Sequence, residues 1–220
     1  MAIKHLIFDC DGVLIDSEIL ATRIILEELK AYDFEMEELA YSAKFSGYLT
    51  EEILRKLRTD YQLPLPADFR DLLHRRMEDA FETILEPVTG MPELIASLPL
   101  PKNVVSNGDG EHVKRALKLT GLTSYFGKEI FSVERVEKPK PHPDLYLLAL
   151  QNLERSVEDV IVVEDSGAGV QAAKAAGLTV IGFAGAGHVG EDHPEKLRSL
   201  GADHTAMDAN ELRQHFERLL

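Results

Sequence analysis

Asp9 and Asp11 stand two residues apart in the segment Asp9-Cys10-Asp11-Gly12. On an extended chain that spacing puts both side chains on one face, and Gly12 lets the chain turn sharply after them. One carboxylate so placed can attack an electrophile while the other handles a proton. Two further polar clusters, Ser106-Asn107-Gly108 and Glu164-Asp165-Ser166-Gly167, follow short β-branched runs later in the sequence. Brought together, Asp9, Asp11, Glu164 and Asp165 would repel one another, because unit charges ~4 Å apart cost about 4 kcal/mol at an effective dielectric near 20. A hard divalent cation relieves that repulsion. Carboxylates without His or Cys partners suit Mg²⁺, which keeps several waters and completes its shell with phosphate oxygens.

The elements that must position these clusters are legible as short apolar runs that stop abruptly at polar residues, the pattern of parallel strands buried on both faces. Six such runs are Ile3 to Phe8, Asn103 to Val105, Ile130 to Val133, Val160 to Val163, Thr179 to Phe183 and, more weakly, His204 to Met207. Helix-length segments at His112 to Leu119, Asp144 to Leu153 and Gly169 to Ala176 lie between the later runs as crossover connections. The expected fold is α/β, a Rossmann-like parallel sheet. In such sheets ligands bind beyond the carboxyl ends of the strands, where the polar clusters fall. Residues 17–86 break the rhythm: Leu20 and Ile24, then Ile53, Leu54 and Leu57, then Phe69, Leu72, Leu73, Met77, Phe81, Ile84 and Leu85 recur at helical spacing. The expected organisation is an α/β core over residues 1–16 and 87–220 with an inserted α-helical cap over 17–86.

The 220 residues carry 24 Lys plus Arg against 38 Asp plus Glu, a formal net charge of −14. A surface this acidic argues against nucleic acid or an anionic membrane surface as partner, yet admits a small phosphorylated metabolite at a local cationic site. The insertion holds 16 of the acids and 9 of the bases, read as solvated outer faces. With Cys10 the lone cysteine, no internal disulfide can form, and no apolar run approaches membrane length, so a cytoplasmic location is expected. Cys10 lies between two aspartates that disfavour a thiolate, which makes it an apolar spacer. Gly185-Ala186-Gly187-His188-Val189-Gly190 spells a dinucleotide-binding pattern, but no clear helix follows and His193-Pro194 interrupts, so a loop is expected. His188, His193 and His204 are spaced too irregularly for a zinc site and read as surface or loop residues.

The segment from Asp9 through Glu18 resembles the first motif of the haloacid dehalogenase superfamily, in the subgroup with a helical cap inserted directly after it. Val104 to Gly108 resembles its second motif, Lys140-Pro141-His142-Pro143-Asp144-Leu145-Tyr146 the third, and Val162 to Gly169 the fourth. The resemblance implies a Mg²⁺-dependent phosphatase acting through an aspartyl-phosphate, on a sugar or polyol phosphate. It makes Asp9 the nucleophile and Asp11 the general acid/base. Ser106, Asn107 and Lys140 would hold the phosphoryl group; Asp9, the Asp11 carbonyl and Asp165 would hold the metal, with Glu164 acting through water. The segment Gly110 to Leu119 reads as a helix whose free N–H groups could also receive phosphate oxygens. Lys138-Pro139 offers a rival Lys-Pro pair, but only Lys140 has the family spacing to Asp144 and Tyr146. A β-phosphoglucomutase-type mutase is the alternative; its His and cap-loop Arg would fall on Ala21 and Thr50 here, which favours hydrolysis. A non-catalytic phospho-acceptor protein is the alternative from another class, and such domains are roughly half this length. The segment Lys44-Phe45-Ser46-Gly47-Tyr48 is expected to contact the leaving group, with burial inside the cap equally open for Phe45.

Overall fold

The computed structural model describes residues 3–45, 48 and 50–220. The chain divides into two compact units. One holds the residues up to Asp16 with Glu86–Ala186 and Glu191–Leu220; the other holds Ser17–Leu85 with Gly187–Gly190.

The first unit is built on a parallel sheet of β1 (His5–Phe8), β2 (Lys102–Val105), β3 (Ile130–Phe131), β4 (Val160–Glu164), β5 (Thr179–Phe183) and β6 (His204–Ala206), in the order β3-β2-β1-β4-β5-β6. Ile7, Phe8, Val104, Val105 and Val160 to Val163 are wholly buried, as expected of continuous apolar strands covered on both faces. The register matters for function. Phe8 pairs with Val163 of β4 and with Val104 of β2, so the next residues, Asp9 and Glu164, emerge side by side at the strand ends. Strand order changes direction between β1 and β4, the crevice where open α/β sheets bind ligands.

The second unit is helical, with α1 (Ser17–Leu29), α2 (Glu38–Phe45), α3 (Thr50–Asp60) and α4 (Phe69–Ile84). Leu29, Leu57, Phe69 and Leu73 close its own core, together with Tyr41 and Phe45. The periodicity overreached at its end, since Ile84 is 60% exposed. Around the sheet lie α5 (Met91–Ser97), α6 (Gly110–Leu119), α7 (Asp144–Asn152), α8 (Gly167–Ala175), α9 (His193–Ser199) and α10 (Ala209–Leu219). The third strand is shorter than its apolar run, because Val133–Arg135 turns into a 3₁₀ helix. His193-Pro194 starts a helix instead of interrupting one: Pro194 falls in the first turn of α9, where its missing N–H costs nothing. Among the described residues no helix is long and apolar enough to cross a membrane.

Candidate active site

Asp9 continues the β1 ladder, its N–H donating to the Val163 carbonyl at 3.0 Å. Its carboxylate is nearly buried, and it meets a lysine from 131 residues away: Lys140 Nζ lies 2.6 Å from Asp9 Oδ1. The same ammonium donates to Glu164 Oε1 at 2.5 Å and to the Val105 carbonyl at 2.8 Å, so its three protons are spent across β1, β2 and β4. Burial alone would lower the Lys140 pKa, but the Asp9 and Glu164 charges outweigh it and hold the ammonium well above its usual value. Burial pushes the Asp9 carboxyl up to about 8; Lys140 pulls against that, while Glu164 and Asp11 push the same way as burial. The rival Lys138 is exposed.

Glu164 is wholly inaccessible, and both its oxygens are engaged. Oε1 accepts from Lys140 and from the Tyr146 hydroxyl at 2.8 Å, and Oε2 accepts from the Ser166 N–H and hydroxyl at 3.2 and 3.1 Å. Asp165 follows it, buried, its carboxyl pushed well above the usual range by burial first and then by Asp9, Glu164 and Asp11. One ligand oxygen each from Asp9, Glu164 and Asp165 lies within 4.8 Å of the others. Lys140 offsets one negative charge of this group. The oxygen-only donor set and the remaining negative charge fit a hard divalent cation.

Asp11 differs from Asp9 in access, with about a third of its side chain exposed. Beyond it the chain folds back sharply: Leu14 and Ile15 N–H both donate to the Cys10 carbonyl, and Gly12 N–H donates to Ile15 O. Gly12 sits at φ +75, and a side chain there would overlap the Asp165 carboxylate. Cys10 is fully buried, and burial with the two flanking aspartates pushes its thiol well up, which leaves it unreactive.

Ser106 is buried at the end of β2, and its Oγ accepts from Gly108 N–H at 2.9 Å. Gly108 passes close to two of the expected groups: a Cβ built on it would lie 3.2 Å from Ser106 Oγ and 3.7 Å from Asp11 Oδ2. Two expectations change here. The side-chain amide of Asn107, expected on phosphate, is committed to the backbone of Lys140, donating to its carbonyl at 3.0 Å and accepting from its N–H at 2.9 Å. The first turn of α6 is also not open to phosphate: Gly110 N–H is taken by Glu134, and the N–H groups of Glu111 and His112 are taken by the Asp109 side chain. These acids cap the helix before any ligand arrives.

Some residues at the site carried no decisive sequence signal. Tyr146 reads in the sequence only as an aromatic of the third motif, yet its hydroxyl anchors Glu164. His112 Nε2 stands 3.8 Å from Asp11 Oδ1, reached only because α6 starts where it does. His193, read as a surface or loop histidine, bonds through Nε2 to the Asp165 carbonyl at 2.6 Å. In the expected leaving-group segment, Phe45 is buried in the core of the helical unit, Tyr48 is partly exposed beneath Lys56, and Ser46 and Gly47 lie outside the described residues. The glycine-rich segment is a loop, and Gly185 within it is tightly enclosed by Phe183 and the Met207 carbonyl.

The chain is 28% identical over 182 residues to the 6-phosphogluconate phosphatase of Escherichia coli strain K12, covering 82% of each chain. It is 32% identical over 189 residues to hexitol phosphatase A of the same organism, covering 82% of this chain and 83% of the relative. A crystal structure of a hydrolase from Deinococcus radiodurans R1 with bound phosphate and sodium superposes with a TM-score of 0.89 at 30% identity, over 99% of this chain and 96% of that one. The haloacid dehalogenase-like hydrolase profile matches residues 6–183, from β1 through the last residue of β5. The chain is an enzyme of the haloacid dehalogenase-like hydrolase family.

Proposed function

We propose that this enzyme hydrolyses a small phosphate monoester, a sugar or polyol phosphate, through an aspartyl-phosphate on Asp9. The observation that carries this reading is the buried Lys140 ammonium, 2.6 Å from Asp9 Oδ1 and 2.5 Å from Glu164 Oε1. A carboxylate buried this deeply is otherwise driven to hold its proton, and the adjacent cation favours the ionised form that can attack phosphorus. An Asp9 oxygen bonds to phosphorus as the bond to the leaving oxygen breaks, and protonated Asp11 donates its proton to the departing alkoxide. Asp11, now ionised, takes a proton from water; the water oxygen bonds to phosphorus, the Asp9–phosphorus bond breaks, and phosphate leaves. The partial exposure of Asp11 suits a group that must exchange protons with water.

Ser106 and Lys140 are assigned to the phosphoryl group, Lys140 by giving up one of its three present bonds to a phosphate oxygen, and Asn107 contributes by fixing the Lys140 backbone. Asp9, Asp11 and Asp165, with Glu164 through water, are assigned to Mg²⁺. When bound, this cation offsets the charge of the carboxylates and of the phosphoryl group. Residues 17–86 are assigned as a cap that selects the leaving group, and the protein is assigned to the cytoplasm. Substrate class is supported by the two relatives named for phosphatase activity on 6-phosphogluconate and on hexitol phosphates. Hydrolysis is favoured over a mutase reaction by Ala21, which offers no proton donor where the mutase His would fall. The test is phosphate release from a panel of sugar, polyol and nucleotide monophosphates and an activated aryl phosphate, with Mg²⁺ and with chelator. Asp9→Asn should reduce turnover to background while the protein stays folded. Full activity in that variant, or none from the wild type on any ester with Mg²⁺, would overturn the reading.

A further inference from the structure

We propose that His193 is a positioning residue for Asp165, holding the loop after β4 in the conformation that binds the divalent cation. The inference rests on the assignment of Asp165 as a metal ligand. Asp165 leaves β4 through the peptide that joins it to Ser166, and both polar ends of that planar unit are held. Its N–H, on Ser166, donates to Glu164 Oε2 at 3.2 Å, and its C=O, on Asp165, accepts from His193 Nε2 at 2.6 Å. A carbonyl only accepts, so Nε2 carries the proton. Glu164 is in turn fixed by Lys140 and Tyr146. The second clamp, His193, comes from outside the β4 to α8 segment, 28 residues further along the chain.

The fold gives His193 a firm base. It is the first residue of α9, with buried Pro194 beside it and Leu197 of the same helix wholly buried. On its other side Asp165 has little room to move, because Gly12 yields its side-chain space to the carboxylate. Losing the His193 bond frees the peptide to rotate and carries the Asp165 side chain away from Asp9. Groups that orient metal ligands from outside the coordination sphere typically alter metal affinity by about 10- to 100-fold when removed.

The test uses the full chain and Mn²⁺ as probe, with free Mn²⁺ followed by electron paramagnetic resonance so that binding is read apart from turnover. His193→Leu keeps bulk without a donor and should weaken Mn²⁺ binding about 10-fold or more. His193→Gln, whose amide nitrogen can reach the same carbonyl, should bind within about 3-fold of wild type. Wild-type Mn²⁺ affinity in the Leu variant overturns the proposal. So does a Gln variant as weak as the Leu variant, which would mean that the ring's packing matters and not its hydrogen bond; if the Leu variant fails to fold, His193→Phe, a ring without a donor, takes its place with the same expected loss. Activity on an aryl phosphate separates this from the functional reading: a wild type that turns over while both variants bind Mn²⁺ normally defeats only the role of His193. A wild type that binds Mn²⁺ in a His193-dependent manner yet releases no phosphate defeats only the reaction.

Discussion

Replacing Lys140 by Met keeps the length of the side chain and removes the ammonium that joins Asp9, Glu164 and the Val105 carbonyl. Two buried acids, Asp9 and Glu164, then lose their shared cation, with buried Asp165 close beside them. Breaking a buried pair by deleting one partner costs about 3–5 kcal/mol. In a chain of 220 residues that corresponds to a fall in Tm of roughly 6–20 °C. The pH dependence is the sharper test. In the metal-free wild type Asp9 titrates at about 8 when folded against 3.8 for the free group, so between those values the folded state holds a proton that the unfolded state has lost. Stability therefore falls as pH rises from about 4 to about 8. Lys140 has the same sign in a different window: its folded pKa lies above 10.5, so its contribution is present throughout the range from about 4 to about 8 and is lost only at more alkaline pH. Removing it pushes Asp9 higher still. The Tm difference between wild type and Lys140→Met, followed by circular dichroism in chelator, should thus be larger at pH 8 than at pH 5. Adding Glu164→Gln should recover part of the loss at pH 8 by deleting one of the stranded charges, while activity stays low. Turnover of an aryl phosphate in Lys140→Met should fall by roughly 10²- to 10³-fold, the size seen when one stabilising donor is removed from a transition state. An equal Tm loss at pH 5 and pH 8 would refute the electrostatic reasoning, since lost packing does not titrate.

Gly12→Ala should expel the Asp165 carboxylate from its position and strain the φ +75 backbone; Mn²⁺ titration should show weakened binding in a protein whose far-ultraviolet dichroism matches wild type. Tyr146→Phe removes one of the donors to Glu164 and leaves Lys140 and Ser166 in place. Its stability should drop by about 1–2 kcal/mol in chemical denaturation, with kcat changed far less than in Lys140→Met. Asn107→Ala frees the Lys140 backbone at both its N–H and its carbonyl. If Asn107 positions Lys140, kcat on the aryl phosphate should fall with little change in KM, whereas loss of a direct phosphate contact would raise KM.

The sheet was legible because parallel strands buried on both faces must be written as unbroken apolar runs, and those runs end where the chain meets the ligand crevice. Thr179 to Phe183 matches β5 residue for residue, and Val160 to Val163 falls short of β4 by Glu164 alone. What escaped were elements whose apolar signal is thin. In α10 only Ala209, Leu212 and Phe216 are buried, though Asp208 announces its start by accepting from the Asn210 and Glu211 N–H groups. Asp9, Asp11 and Asp165 were legible as strand-end carboxylates. Their supports were not, because a side chain's hydrogen-bond partner depends on tertiary placement: Asn107 turns to the Lys140 backbone, and His193 to the Asp165 carbonyl. The expected anion site on α6 failed for a related reason. Asp109 and Glu134 are ordinary surface acids in the sequence, and only the fold reveals that they consume the donors of the first turn.

The glycines of the first and fourth motifs take on a meaning that a turn-based reading misses. Gly12 fits the ordinary reason for glycine, a positive φ. Gly169 does not: it lies within α8, where glycine costs about 1 kcal/mol relative to alanine. A side chain at Gly169 would overlap the Glu164 carboxylate, just as one at Gly12 would overlap Asp165. Both glycines therefore yield space to buried acids, and Asp165, whose carboxyl is held well above its usual range, destabilises the metal-free protein as pH rises. Helix propensity and burial of charge are sacrificed at the same place. A sequence selected for stability alone would place alanine at position 169 and replace the acids with apolar groups. The acids, with the glycines that admit them and the lysine that partly neutralises them, make sense as the site at which a cation and a phosphoryl group complete the balance of charge.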